Sequence, residues 1–219
     1  MTKDELIDKY RYDLCDLEWW DCTFDDTKTD MLELGFMVDD IYFSGFASQG
    51  DGACFVGHMT DWTKFCEGVP EFVRDFPYLS KFVVAEGAEY SITHSGHYNH
   101  EYCTSHEYSD DLDNWLEVNE ICDDDIGPDE DISTQELMEF ALYTKAADES
   151  GVEKWLTEFF RGKMREVYEA LEAENDYLTS DETVWDMIVA NGLDSELEEE
   201  DGDEHAEQTG VDSIVAHSA

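Results

Sequence analysis

Five side chains that can ligate a metal recur at every third position of HSGHYNHEYCTSH (94–106): His94, His97, His100, Cys103 and His106. Neutral imidazole and thiolate are zinc-ligand types, and four of them can close a tetrahedral site. The spacing matches no zinc-finger pattern. A period of three also sends successive residues to both faces of a strand, so the set converges only if a hairpin turn falls inside the run. The candidate metal ligands are His94, His97, His100 and Cys103, with zinc as the implied cofactor. The competing reading is a histidine-rich hairpin whose imidazoles face carboxylates.

A second stretch, SGFASQGDGACF (44–55), gathers serines, glycines and an Asp. A phosphate-binding P-loop needs a Lys after its last Gly, and none follows here. A dinucleotide fingerprint opens a helix, whereas Gly50-Asp51-Gly52 leads into ACFVG, which has strand character. Ser44 in FSGF and Ser48 in ASQG do not fit the G-x-S-x-G nucleophile elbow. The residues suit a hairpin turn whose glycines supply positive φ and whose Asp bonds its own backbone. Gln49 and Asp51 at its tip are a candidate polar contact site. A third cluster, Lys154, Arg161, Lys163 and Arg165, reads as the solvated face of a helix paired with Glu153, Glu158, Glu166 and Glu169.

The strongest signal is the charge. The chain has 57 Asp and Glu against 12 Lys and Arg, a formal net charge of -45 over 219 residues. Nucleic acid and anionic membrane are therefore excluded as direct partners, and basic proteins are favoured. Acids crowd residues 107–131, and no Lys or Arg stands between Lys81 and Lys145. Asp110, Asp111, Asp113, Glu117 and Glu120 are the candidate binding acids in that segment. Acids at i and i+4 of a helix lie about 6 Å apart, close to the phosphate spacing along one DNA strand. A folded acidic surface of this kind can occupy the basic groove of a DNA- or RNA-handling enzyme. A solubilising surface and adaptation to high salt are the competing explanations. So many carboxylates make any catalytic acid pair uninformative, and a non-enzymatic binder is expected.

The elements that position these residues alternate between two periods. Thr2-x-x-Glu5 has the form of a capping box, and Leu6, Tyr10, Leu14 and Leu17 extend a helical pattern over 3–20. A second helix is predicted at about 25–34, closed by Gly35. Strands are expected at 41–46 and 53–58, helices at 61–66 and 70–84, and a second strand pair at 87–95 and 99–108. Trp115 marks a short helix, and Ser133-x-x-Glu136 caps a helix reaching about 147. In the clearest helix, 152–175, one face carries Trp155, Phe159, Met164, Val167 and Leu171. Thr179-x-x-Glu182 caps a last helix ending at Asn191-Gly192. The fold class is α+β: a small antiparallel sheet of about four strands packed against several helices. The organisation is one domain over 1–192, an acidic insert at about 107–131, and a disordered acidic tail over 193–219. Six scattered Cys without a C-x-x-C pair, no apolar run of about 18 residues and no signal-like N-terminus point to a cytoplasmic chain with reduced thiols.

At IYFSGFASQGDGACF (41–55) the chain resembles a family of small phage and prophage proteins with the hallmark IYFSGFxSQGDGAxF. The similarity continues at Gly96-x-Tyr98-x-His100 and at YEALEAENDYLTSDETVWDMIVANG (168–192), where the family has an amphipathic helix and a related ending. Ala47 stands where the family often has Trp, and the last block ends AsnGly where the family has AsnGlu. The resemblance implies a host-cytoplasmic setting and a protein that inhibits a host enzyme. Some members carry an antitoxin label, which implies a cognate toxin as an alternative partner, gripped by apolar anchors such as Trp115 and Trp155. The resemblance carries over no catalytic residues.

Overall fold

The structure, a computed structural model, describes residues 1–14, 18–46, 50–77, 79–111 and 149–197. Gln49, the Trp115 helix, the Ser133 capping box with its helix, the insert beyond Asp111 and the tail beyond Leu197 lie outside the described residues. Contacts divide the chain into two compact units, Asp16–Tyr177 and Met1–Cys15 with Leu178–Ala219. The span 1–192 expected as one domain thus takes in residues of both units, and the expected boundary at 192 falls within the smaller one.

The larger unit holds a four-stranded antiparallel sheet in the order β1 (Phe36–Phe43), β2 (Ala53–Met59), β3 (Glu89–His94), β4 (Thr104–Ser109). β1 pairs along its length with β2, from Phe36 opposite Met59 to Phe43 opposite Ala53, with one irregularity between Val38 and Asp40. β2 is apolar except for His58 and is buried at most positions, as befits a central strand. The predicted α+β class and four-stranded sheet are both present, with helices packing against the sheet.

α2 (Asp21–Glu33) precedes β1. Gly35 ends it at φ 79°, and a Cβ there would strike the carbonyl of Asp61. The Gly35 carbonyl in turn accepts from Thr60 N at 2.8 Å and Asp61 N at 3.0 Å. Asp61 then caps α3 (Trp62–Gly68), its carboxylate accepting from Thr63 N and Lys64 N. The helix expected over 70–84 is two helices, α4 (Pro70–Asp75) and α5 (Leu79–Ala85). Pro77 explains the break, because the residue before a proline is pushed out of the helical region, and Phe76 has φ -131° and ψ 63°.

α6 (Glu149–Leu178) supplies the helical half of the core. Val152, Leu156, Phe160, Met164, Val167 and Leu171 are buried, whereas Trp155 and Phe159 are only partly so. The face predicted through Trp155 and Phe159 is therefore rotated by one residue at its N-terminal end. The Phe160 ring lies 4.5 Å from Phe36, 5.1 Å from Tyr90 and 6.3 Å from Phe55, ring centre to ring centre.

The smaller unit contains α1 (Lys3–Tyr10), α7 (Asp181–Ala190) and a 3-10 turn at Leu193–Glu196. The Thr2 capping box forms as expected, but α1 ends at Tyr10 rather than near residue 20. α7 is capped by Ser180, which accepts from Thr183 N, one residue later than the predicted Thr179. Leu6, Ile7, Val184 and Ile188 make its small core. Arg11 ties it together through Asp8, Asp181 and the Thr179 carbonyl.

Candidate functional site

The motif hairpin between β1 and β2 is built against the loop joining β3 to β4. Ser44 N donates to the Gly52 carbonyl at 3.0 Å, and Ser44 Oγ donates to the Gly50 carbonyl at 3.3 Å. Asn99 Nδ2 donates to the Phe43 carbonyl at 2.9 Å, joining the two loops. Gly50 and Gly52 do not take the positive φ expected of them; the left-handed residue here is Gly96, at φ 109°. Their role is close approach. A Cβ on Gly50 would lie 2.9 Å from the Tyr98 ring, and one on Gly52 would lie 3.1 Å from the Cα of His100. Because backbone cannot step aside, Gly52→Ala is expected to cost about 1–3 kcal/mol, measurable as a lower urea midpoint at unchanged m. An unchanged midpoint would show that the loops are not in contact.

The histidine run lands on this loop pair without forming a ligand set. His94 ends β3, with its ring 5.3 Å from Tyr42 and Nε2 3.2 Å from the Tyr98 carbonyl. His97 is exposed in the connection. His100 Nδ1 sits 2.7 Å from the carboxylate of Glu101, and Cys103 closes a 3-10 turn over Glu101–Cys103. Among the described residues no three His, Cys, Asp or Glu side chains are grouped to hold a metal ion. The convergence that zinc would need from His94, His97, His100 and Cys103 is thus not formed. The hairpin spreads the run along a strand end, a loop and a turn.

What the run does supply is a polar network with a single direction. Tyr90 Oη lies 2.7 Å from His106 Nδ1, His106 Nε2 lies 2.9 Å from Thr104 Oγ1, and Thr104 Oγ1 donates to the Glu101 carbonyl at 2.7 Å. With the Thr104 proton committed, its oxygen accepts from Nε2, and Nδ1 accepts from the phenol. That tautomer makes His106 neutral. Burial, followed by the charge of Arg161, pushes His106 down to about 4, and burial raises Tyr90. Both shifts hold the groups neutral, the opposite of a poised acid–base pair. The unfolded chain therefore binds a proton at His106 that the native chain refuses. Stability from this group is full above about pH 6.5 and is lost as pH falls toward 4, by up to about 1.4 kcal/mol per pH unit. Urea unfolding between pH 7.5 and 4.5 should show a steeper acid loss in the native protein than in His106→Gln; equal slopes would contradict the neutral assignment.

Glu101 is buried, 6% exposed, with Arg165 Nη1 at 3.7 Å from its second oxygen. The Arg161 guanidinium lies 4.9 Å over the Tyr102 ring, and its Nε is buried without a hydrogen-bond partner. Two of the predicted helix pairs form, Arg161 with Glu158 and Lys163 with Glu166. Arg165 instead reaches the β3–β4 loop. Tyr42, Tyr98 and Tyr102 remain exposed around the loops. Trp155 is not a free anchor: its ring stacks on Phe159 at 5.5 Å and Nε1 donates to Asp75.

The acids singled out in the sequence are scattered. Asp51 is half-buried behind Gly45. Asp110 accepts from Tyr108 Oη at 2.6 Å just past β4, and Asp111 is exposed beside it. Asp113, Glu117 and Glu120 lie outside the described residues. An acidic surface missed in the sequence is carried by helices. α2 exposes Asp21, Asp25, Asp26, Asp30 and Glu33 against a single cation, Lys28. From Glu166 onward α6 carries Glu166, Glu169, Glu172, Glu174 and Asp176 and no Lys or Arg. The spacing of Asp21 to Asp25 and Asp26 to Asp30 was the available signal, hidden beside the denser run at 107–131.

Of the described thiols, Cys22, Cys54, Cys66 and Cys103 are free. Burial, reinforced by Cys103, pushes Cys54 up to about 12, and burial pushes Cys66 up to about 11, so both are poor nucleophiles. No described helix is long and apolar enough to cross a membrane.

No curated protein and no solved structure matches the chain. Residues 19–181, which nearly coincide with the larger unit, match the model of a domain of unknown function, DUF8835, and the chain belongs to that family.

Proposed function

We propose that this protein is a non-enzymatic acidic binder that occupies a basic groove of a host nucleic-acid-handling protein, acting in the host cytoplasm as a DNA-mimic inhibitor. The observation that carries the reading is the exposed acidic row of α2, five carboxylates on a rigid helix with one Lys among them. Their spacing of about 6 Å along each i, i+4 row is close to that of backbone phosphates. The acids also continue to the C-terminal ends of α2 and α6, where neither helix has a base in its last turn. The helix dipole disfavours acids there, so the pattern breaks a local rule, as functional surfaces often do. Asp110 and Asp111 add two further carboxylates just past β4.

The test is capture from a bacterial host lysate on the immobilised full chain, washed in steps of rising salt, with eluted proteins identified by mass. A basic DNA- or RNA-handling protein released at moderate salt supports the reading, because exposed charge pairs are screened. A second reading, an antitoxin-like protein that neutralises one toxin, is favoured by the exposed Tyr42, Tyr98 and Tyr102 around the motif loops. Tyrosine anchors of that kind would hold a small partner through high salt.

A further inference from the structure

A cleft of about 230 Å³ opens between α2 and α6. Its apolar lining is Met31, Leu34 and Val167, with the exposed Ala170 beside them. Asp26 and Asp30 stand on one wall, exposed and one helical turn apart, and among the described residues neither carboxylate has a hydrogen bond or ion pair. The opposite wall is neutralised within itself, since Lys163 Nζ lies 2.8 Å from Glu166. Lys28, the only cation of α2, sits two residues from both acids and so faces away from their row. The neighbouring hydroxyls are committed: Thr23 Oγ1 donates to Glu174 and Thr27 Oγ1 to the Thr23 carbonyl.

An apolar floor beneath two unpaired carboxylates fits a side chain with an aliphatic stem and a cationic head. We propose that this cleft receives one arginine side chain of the basic partner, its methylenes on Met31 and Val167 and its guanidinium against Asp26 and Asp30. Arginine suits the site better than lysine, because its planar head presents donors on two edges and can reach two carboxylates a helical turn apart. Its weakly hydrated head also leaves water at lower cost than an ammonium. The inference rests on the binder reading above and supplies an anchor for it: a shaped point within a diffuse acidic surface.

The experiment titrates the full-length, nitrogen-15-labelled chain with N-acetyl-arginine-methylamide, and separately with the norleucine analogue, while amide shifts are followed. Saturating shifts confined to 26–34 and 163–170 are expected with arginine and not with norleucine. Asp26→Asn/Asp30→Asn should weaken them roughly tenfold. Ala170→Trp, at an exposed position, should fill the cleft and abolish them while leaving the core intact. Shifts spread without saturation over the acidic surface, or an unchanged response in both variants, would overturn the proposal. If arginine saturates the cleft but no basic protein is captured, the binder reading fails and the site stands. If a basic protein is captured equally by wild type and Ala170→Trp, the site fails and the reading stands.

Discussion

Phe160→Ala should lose about 3–5 kcal/mol of folding stability, the range for truncating a fully buried phenylalanine. The ring is 0% exposed and meets Phe36, Phe55, Phe65, Phe159 and Tyr90 within one aromatic cluster. These partners come from β1, β2, β3, α3 and α6, so one cavity loosens the whole sheet–helix junction. Three of the neighbouring rings, Phe36, Phe55 and Tyr90, are held by strands and cannot easily close the hole. Urea unfolding followed by tryptophan fluorescence measures the change. Trp155→Ala, five residues earlier, makes the informative contrast: its ring packs only at the core edge, against Phe72, Phe76 and Phe159, and its loss should be clearly smaller. Equal losses would restore the helix face that the sequence pattern alone suggested.

Neutralising the α2 row by Asp21→Asn, Asp25→Asn, Asp26→Asn and Asp30→Asn should weaken binding to the basic partner by about 1–4 kcal/mol, at roughly 0.2–1 kcal/mol for each exposed charge. In affinity that is roughly five- to several-hundredfold. The plot of log affinity against log salt should also flatten, because fewer ion pairs are screened. The four positions are exposed and none reaches the core, so the fold should survive. Removing acids from a chain of net charge -45 relieves self-repulsion, and the variant should unfold at an equal or higher urea concentration in low salt. A surface acidic only for solubility would show the gain in stability without the loss of binding. Adaptation to high salt would appear as a wild-type chain that folds only at high ionic strength.

The fold was legible where a local rule was strong. The Thr2 capping box, the Gly35 stop and the strands either side of SQGDG follow from residue types that have one good use each. The sequence misled where two rules competed. Pro77 outweighed the helical pattern over 70–84. In α6, large apolar residues at both 155/159 and 156/160 left the buried face open to a one-residue rotation, which only the sheet's own Phe36, Phe55 and Tyr90 could settle. The site was less legible still. His94, His97, His100 and Cys103 advertise metal chemistry by type, but hairpin geometry, which spacing cannot encode, separates them. His106, the last member of the His/Cys run, is instead the middle of a buried network: Thr104 stands two residues before it on β4, but Tyr90 lies sixteen residues away on β3 and only strand pairing brings it close. Gly50 and Gly52 were visible as special, but for the wrong reason: they admit Tyr98 and His100 rather than a left-handed turn. The α2 acids were present in plain spacing and were outshone by a denser run elsewhere.

The central claim is that this acidic surface takes the place of nucleic acid on its partner. The most direct test is competition: the partner captured on the immobilised full chain is challenged with duplex DNA at constant ionic strength, and the fraction released is measured against DNA concentration. Complete release at saturating duplex DNA is the expected result, with a midpoint that rises when a weaker-binding duplex is used as the competitor. A partner that remains bound at saturating DNA would contradict it, because the two ligands would then occupy different surfaces.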